Sequence, residues 1–296
     1  MNIKFIVDSA SDIPRDYAQE NNIAVIGLPI YFADGTQLRA WHDIEPEQFY
    51  ERLVKESEIP TTSQAPLPEV KALLEDGAKN YDATIYFTLS SKASGTYQTA
   101  HMLKNEVLEE YPDAKIEIVD SMSYSLYIVL MLKEAIRLNN EGKSLEEIIE
   151  GAKDVRRHTN VYVLVDTLKY LAKGGRINKA SLIAGSLLNI KPVLSVIGGI
   201  MESVDKFRGS KTVIPKLVQK ALADDCDLDN PQFCMVHSNA ADRAAQLWED
   251  VKEKCGEDSE LVMQSQIGAS VGTHIGPGTL ALFYRTKSPR KVYEED

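Results

Sequence analysis

The sequence predicts an α/β protein of two lobes, and two observations support this prediction. Short apolar runs that resemble strands alternate along the chain with amphipathic segments that resemble helices. The chain has 296 residues, of which 44% are hydrophobic, so each half of it could bury a core of its own. We therefore expect a sheet flanked by helices in each half.

Nine apolar runs predict strands, because they are rich in β-branched and aromatic residues and are bounded by turn residues. In chain order they are residues 4–8, 23–32, 83–89, 115–120, 161–166, 192–197, 232–238, 260–267 and 279–284. Strands that alternate with helices favour parallel pairing. The sheet of the N-terminal lobe should therefore be mostly parallel.

Helices are predicted over residues 66–79, 144–157 and 240–254, where apolar residues recur at a helical spacing. Ser144 and Glu147 have the spacing of a capping box at the start of one of them. Residues 123–157 indicate two consecutive helices before the next strand begins. We place the division there, with an N-terminal lobe of residues 1–160 and a C-terminal lobe of residues 161–296.

A glycine pair in the second half predicts a hairpin. Gly198 and Gly199 separate two strand-like runs, and such a pair favours a tight turn between antiparallel strands. The sheet of the C-terminal lobe should therefore be mixed.

Charge and composition argue against several classes of function. The formal net charge of -11 would repel a nucleic acid backbone. No apolar run reaches the roughly 18 residues that a membrane span needs, and the N-terminus does not resemble a secretory signal. We expect a cytoplasmic protein without stable membrane insertion. The cysteines and histidines lack the spacing of a metal site or disulfide framework, and no phosphate-binding glycine loop with its lysine occurs.

Four polar or glycine-rich segments are candidates for binding: residues 61–64, 90–96, 167–181 and 268–284. Hydroxyl groups and free N–H groups at a helix start, as in the second segment, suit an anion. Ordinary structural roles explain the same residues. Ser94 could cap a helix, Gly174 and Gly175 could end one and leave Arg176 on the surface, and His274 could be structural.

These segments occur in the order found in the DegV family of bacterial fatty acid-binding proteins, which the chain resembles over nearly its whole length. The matching motifs are FIVDS and SDIP within residues 5–14, TSQ at 62–64, SGTYQ at 94–98, VDS at 119–121, YL and KGGRI within 170–177, LNIKPVL at 188–194 and HIGPG at 274–278.

The resemblance implies one long-chain fatty acid bound between two α/β lobes, with its carboxylate held by Thr62, Ser94 and His274. It also implies a lipid-binding protein and not an enzyme, without catalytic residues or a cofactor. Family members present the acid to a separate ATP-dependent kinase, which makes an acyl phosphate for phospholipid synthesis. The wider set of ligand-binding residues that it implies is Thr62, Ser63, Ser94, Gly95, Thr96, Arg176, His274, Ile275 and Gly276.

The chemistry of these residues agrees with such a ligand. Burial of about sixteen carbons at about 0.8 kcal/mol per methylene offers on the order of 12 kcal/mol before the costs of binding. A carboxylate that leaves water needs hydrogen-bond donors, which hydroxyl groups and an imidazole can supply. We expect the glycines around His274 to let the backbone approach the ligand and adopt unusual dihedral angles.

Two departures from the family pattern concern the tunnel. Residues 123–128 are bulky where many relatives have a small, glycine-containing helix start, so we expect a different tunnel shape. Lys92 and Ala93 stand where Gly-Leu is common, which we expect to alter the tunnel mouth or the docking of a partner.

Other functions stay open on sequence alone. In a serine-dependent lipid hydrolase or acyltransferase, Ser94 would be the nucleophile and His274 its base, although the outer glycines of a nucleophile elbow are missing. A lipid-sensing regulatory protein would share the site and differ in its partner. For a kinase partner, Arg208 and Lys211 are candidate docking residues, since local basic charge can orient an acidic protein that carries ATP.

Overall fold

The computed structural model of the chain describes residues 1–184, 190–209 and 212–291. The first part of the chain forms β1 (Ile3–Asp8), α1 (Arg15–Glu20), β2 (Ala24–Ile26), β3 (Pro29–Tyr31), β4 (Gln37–Arg39), α2 (Pro46–Leu53), β5 (Thr61–Thr62), α3 (Leu67–Asn80), β6 (Ala83–Thr88), α4 (Thr96–Glu110) and β7 (Ile116–Asp120).

Two helices, α5 (Leu126–Asn140) and α6 (Leu145–Arg157), lead to the second part. That part forms β8 (Thr159–Leu164), α7 (Lys169–Gly174), β9 (Ile190–Ile197), β10 (Ile200–Arg208), α8 (Val213–Ala223), β11 (Gln232–His237), α9 (Ala241–Cys255), β12 (Glu260–Gln266), α10 (Ala269–Ile275) and β13 (Leu280–Arg285).

The first sheet has the strand order β2-β1-β6-β7, and all its neighbouring strands are parallel. The carboxyl ends of β1, β6 and β7 therefore meet at one edge, where open α/β sheets place their ligands. A small antiparallel sheet, β4-β3-β5, lies beside it. The prediction of a parallel sheet in the N-terminal lobe is confirmed.

The second sheet has the order β10-β9-β8-β13-β11-β12 and is mixed, as predicted. Only β11 and β12 pair in parallel, and the other neighbours are antiparallel. The predicted hairpin joins β9 to β10 through Gly198 and Gly199, both with positive φ. The predicted capping box of Ser144 and Glu147 begins α6.

One predicted strand is wrong. Residues 23–32 form two strands, β2 and β3, which belong to different sheets. The chain bends at Gly27, where a Cβ would lie 2.6 Å from the His42 ring and 2.9 Å from the Ala40 carbonyl oxygen. The apolar pattern continues across the bend because both strands are buried, so periodicity alone could not reveal it.

A single apolar core joins the two lobes. It contains residues of the first sheet, such as Ile6 and Phe87, together with residues from one face of the second sheet, such as Val163 and Ala281. The opposite face of the second sheet packs on α8 and α9 around Leu282. The face that meets the first lobe therefore borders any ligand bound between the lobes.

Several sequence-based predictions concern residues outside the described ranges, namely Leu188, Asn189 and Lys211. No helix within residues 1–184, 190–209 and 212–291 is both long and apolar enough to span a bilayer.

Candidate functional site

A cavity of about 240 Å³ lies between the lobes, at the edge where the strands of the first sheet end. The first lobe contributes β5, the segment after it, and the loops after β1, β2, β6 and β7. The second lobe contributes β10, α10, and α7 with the residues that follow it. The polar side chains that line the cavity are Thr62, Ser63, Gln64, Ser94, Arg176, Ser270 and His274.

The polar and apolar walls differ in their depth. Thr62, Ser94 and Arg176 are partly exposed, which places the polar end of the cavity close to the surface. The apolar walls are mostly buried and consist of Ala10, Leu28, Leu89, Tyr124, Leu171, Met201 and Ile275, with the half-buried Ala93 and Val271 beside them. The cavity therefore offers hydrogen-bonding groups near solvent and an apolar interior behind them.

A hydrogen bond between Thr62 and His274 crosses the polar end. Their Oγ1 and Nε2 atoms are 2.8 Å apart. Thr62 is fixed because it belongs to β5, whose pairing with β3 places it opposite Ile30. His274 lies in the last turn of α10. The two side chains thus come from different lobes and meet in the cavity.

The His274 ring is neutral at neutral pH. Burial lowers its pKa to about 4, and the nearby positive charge of Arg176 acts in the same direction. Its Nδ1 atom is buried and has no hydrogen-bond partner among the residues that the structure describes. It lies against Gly174, where a Cβ would be 2.2 Å from it. A buried N–H without an acceptor is costly, so we assign the ring proton to Nε2. Thr62 then accepts this bond and keeps its own hydroxyl proton for another acceptor.

Ser94 lies in the loop before α4 and has a local partner. Its Oγ accepts a hydrogen bond from the Thr96 backbone N–H at 3.2 Å and lies 2.9 Å from the Thr96 Oγ1 atom. This is a local turn bond and not the N-cap that the sequence also allowed, because the N-cap of α4 is Gly95, without a side-chain capping bond. Ser94 also lines the cavity, so this local bond does not exclude contact with a ligand.

Arg176 follows the helix stop that the sequence predicted. The C-cap of α7 is Gly175, in the left-handed conformation with φ 69°. The guanidinium group donates to the carbonyl of Gly174 and, over 3.1 Å, to that of Ala93 in the other lobe. Arg176 therefore fixes the loop that carries Ser94 and gives the cavity a positive charge.

The glycines around His274 have a different purpose from the one expected. Gly276 and Gly278 do adopt positive φ values of 76° and 80°. A Cβ at Gly276 would lie 2.2 Å from the Tyr170 ring, and one at Gly272 would lie 2.6 Å from the Tyr50 hydroxyl. These glycines allow α10 to pack against the protein, and they do not bring the backbone close to the cavity.

The structure brings together seven of the nine predicted ligand-binding residues, which are Thr62, Ser63, Ser94, Gly95, Arg176, His274 and Ile275. Thr96 and Gly276 do not line the cavity. Thr96 is buried, and its Oγ1 accepts a hydrogen bond from the Ala65 N–H at 3.1 Å. Gly276 ends α10. Both residues thus belong to the structure around the cavity and not to its wall.

Sequence reasoning missed most of the apolar wall and two polar residues. Tyr124 belongs to the bulky stretch that was expected to change the tunnel, and it does line the cavity. Gln64 lies in the TSQ motif, and its Oε1 would be 2.2 Å from a Cβ at position 95, which explains Gly95. Ser270 lies in the candidate segment of residues 268–284 but was not singled out, and its Oγ atom is 2.6 Å from the Ser9 Oγ atom of the other lobe.

Two buried carboxyl groups stand next to the site. Asp12 accepts hydrogen bonds from the Ser125 hydroxyl at 2.5 Å and from the Gly268 N–H at 2.8 Å. Asp8 accepts from the backbone N–H groups of Ala10 and Leu89. Burial raises the pKa of each carboxyl group to about 7. Asp12 thus holds the residue that precedes α10.

Other chemistry finds little support in the described parts of the chain. They contain no group of three or more histidine, cysteine or acidic residues that could hold a metal ion. Cys226 and Cys234 are buried, and burial raises the pKa of both thiols to about 12. They are therefore poor nucleophiles.

The whole length of the chain agrees with one protein family. The family model described as "Uncharacterised protein, DegV family" matches residues 2–287. The chain belongs to the DegV family. The DegV protein of Bacillus subtilis is 32% identical over 286 residues, which cover 95% of this chain and 98% of that protein.

Solved structures of DegV family proteins share this fold. One from Thermus thermophilus, described with the words "fatty acid binding", has a TM-score of 0.85 and 29% identity, over 97% of this chain and all of its own. DegV of Bacillus subtilis, described as a fatty acid binding protein, has a TM-score of 0.83 and 30% identity over the same shares. The predicted DegV-like architecture of two lobes is confirmed.

Proposed function

We propose that this DegV family protein binds one long-chain fatty acid between its lobes, which we divide at residue 160, and presents it to a separate ATP-dependent kinase. The observation that carries the proposal is the cavity, whose polar end contains Thr62, Ser94 and His274 and whose interior is apolar. The fatty acid binding described for the proteins of Thermus thermophilus and Bacillus subtilis supports the same ligand.

The polar end suits a carboxylate. With the His274 proton on Nε2, the Thr62 hydroxyl is available as a donor to the ligand. Ser94 adds a second hydroxyl, and the Arg176 guanidinium lowers the cost of a negative charge nearby. Because each hydrogen bond to a charged group contributes about 1.5–3 kcal/mol, two or three of them offset much of the desolvation of the head.

The partial exposure of this end supports presentation to a partner. A kinase must reach the carboxylate, and Thr62, Ser94 and Arg176 are all partly exposed. Arg208, one of the two proposed docking residues, is exposed at the end of β10. Arg208 lies on the order of 25 Å along β10 from the hairpin turn, and Met201, which lines the cavity, is next to that turn. A kinase that contacts both Arg208 and the cavity would therefore need a broad contact surface.

The hydrolase alternative has weaker support. Ser94 pairs with Thr96 and His274 pairs with Thr62, so no nucleophile–base hydrogen bond is formed in the part of the chain described. The DegV proteins of known structure cited above are described as binding fatty acids. We therefore keep a fatty acid-binding protein as the proposal. A lipid-sensing protein would use the same cavity with a different partner.

Native mass spectrometry of the purified protein tests this function directly. We expect a discrete added mass of one fatty acid, retained from the expression host. The delipidated protein should take up one equivalent of an acid of roughly 14 to 20 carbons. A protein that stays lipid-free after this incubation would refute the proposal. Production of acyl phosphate after addition of a cognate kinase and ATP tests the presentation step separately.

A further inference from the structure

A second apolar volume continues inward from the cavity. It measures about 20 Å³ and lies behind a ring of four side chains that line both spaces: Tyr124, Met201, Val271 and Ile275. Its other walls are almost entirely apolar and include Val161, Val163 and Ala281 of the second sheet. A lipid tail that enters from the polar end therefore points toward this inner volume.

Phe283 closes the far side of the inner volume. On its opposite side is an outer cleft of about 530 Å³, which lies between α5, α6 and the second sheet. Among the described residues, Phe283 alone lines both the inner volume and the outer cleft. The aromatic ring is thus a partition between an apolar path and a cleft whose walls include Lys133, Arg137 and Asp154.

The partition is held rigidly. β13 has a strand on each side, so Phe283 is opposite Val161 of β8 and Cys234 of β11. Its ring meets that of Tyr127 edge to face, with centroids 6.4 Å apart. The Tyr127 hydroxyl lies within hydrogen-bond distance of the carbonyl groups of Arg156 and Thr159. Neither the backbone nor the ring can move aside without breaking these contacts.

We propose that Phe283 is the end stop of the acyl tail and sets the longest fatty acid that the protein accepts. The inference rests on the proposed function, since it concerns the tail of the ligand bound there. Each methylene that finds apolar space raises the affinity up to about fourfold. A methylene that meets a fixed aromatic ring gains nothing and forces the head out of place.

The test compares dissociation constants for saturated acids of increasing length with wild type and four variants. Phe283→Ala opens the partition, and Phe283→Leu opens it less with a smaller risk to folding. Ala281→Leu fills the inner volume. Phe233→Ala is the matched control, because Phe233 is a buried residue of the same sheet that lines the outer cleft but not the inner volume. Circular dichroism confirms that each variant is folded.

We expect the acid that binds most tightly to be longer by about two carbons or more in Phe283→Ala, and by less in Phe283→Leu. Each added carbon should raise the affinity of the variant for the acid up to about fourfold. Ala281→Leu should shorten the optimal acid, and Phe233→Ala should leave its length unchanged. If wild type binds and both Phe283 variants keep its optimum, the end stop is refuted while fatty acid binding stands. An equal shift in Phe233→Ala would also refute it, because general loosening would then explain the change. Wild type that binds no acid refutes the proposed function instead.

Discussion

Thr62 and His274 are 212 residues apart in the sequence and are joined by a hydrogen bond of 2.8 Å. One residue belongs to a two-residue strand of the first lobe, and the other to a seven-residue helix of the second. The bond therefore depends on the relative position of the lobes. A ligand that contacts either side chain should therefore be sensitive to the replacement of the other.

Replacement of Thr62 tests the hydroxyl as a donor to the carboxylate. Thr62→Val keeps the shape and removes the hydroxyl, so we expect the affinity for a long-chain fatty acid to fall about tenfold or more. Thr62→Ser keeps the hydroxyl and should stay close to wild type. Isothermal titration of the delipidated variants measures both. Equal affinities of Thr62→Val and wild type would remove Thr62 from the head-group site.

Ser94→Ala and His274→Ala should each weaken fatty acid binding by about tenfold while the protein stays folded, since each removes a polar group from the cavity. His101→Ala is a control, because this histidine of α4 does not line the cavity. Neither wild type nor Ser94→Ala should hydrolyse a long-chain ester. Wild-type affinity in both variants would leave Ser94 with its local bond to Thr96 alone. Ester hydrolysis that is lost in Ser94→Ala would restore the hydrolase alternative.

Gly276→Ala should destabilise the protein strongly. The residue has φ 76° and ψ 178°, a conformation almost restricted to glycine, and a Cβ there would strike the Tyr170 ring. Gly142 has the same φ and no heavy atom within 4 Å of a Cβ, so Gly142→Ala should cost only about 1–2 kcal/mol of backbone strain. We expect Gly276→Ala to cost about 1–3 kcal/mol more in urea unfolding. Equal losses would mean that α7 yields to the new methyl group.

The two buried carboxyl groups predict a pH dependence of stability. An aspartate in the unfolded chain has a pKa of about 3.9, whereas burial raises those of Asp8 and Asp12 to about 7. Between these values the folded state binds more protons, so these groups lower the free energy of unfolding as the pH rises from about 4 to about 7.

Asp12→Asn has no proton to lose and can still accept the Gly268 N–H. Its stability relative to wild type should therefore increase across this pH window, by on the order of a few kcal/mol. Urea unfolding at a series of pH values measures the difference. A difference that is constant or decreases with pH would show that Asp12 is ionised in the folded protein throughout.

The docking hypothesis predicts that Arg208→Ala slows acyl phosphate formation by a cognate kinase and leaves lipid affinity unchanged, because Arg208 does not line the cavity. Lys211→Ala should behave in the same way. Arg39→Ala removes an exposed arginine of the other lobe, which pairs with Asp43, and should have no effect. Unchanged turnover and unchanged kinase affinity in both Arg208→Ala and Lys211→Ala would exclude this surface as a docking site. Loss of lipid binding would instead indicate that these residues act in the binding of the fatty acid.

Much of the fold could be predicted from the sequence because its signals are local. The capping box of Ser144, the glycine hairpin at residues 198–199 and the helix stop at Gly175 each depend on neighbouring residues. The break between β2 and β3 was not predicted, although Gly27 and Pro29 lie inside the apolar run and such residues often mark the end of a strand. Because the residues on both sides are apolar, periodicity alone joined the two strands into one.

The candidate site could also be predicted only in part. Its polar residues lie in short motifs, and seven of the nine predicted residues do line the cavity. Tyr124, Met201 and Val271 line it too, but apolar residues of a lipid path have the same composition as those of a core. The raised pKa values of Asp8 and Asp12 arise from complete burial, which only the assembled lobes reveal.

The position of β13 has a consequence for folding during synthesis. It lies between β8 and β11, yet it follows every other described strand in the chain, and residue 280 is synthesised 116 residues after residue 164. At about 5–20 residues per second, β8 waits on the order of ten seconds on the ribosome for this neighbour. The first sheet has all its strands by Asp120 and can form early. The second sheet lacks the strand between β8 and β11 until β13 has emerged through Arg285, so its two parts are joined only at the end of synthesis.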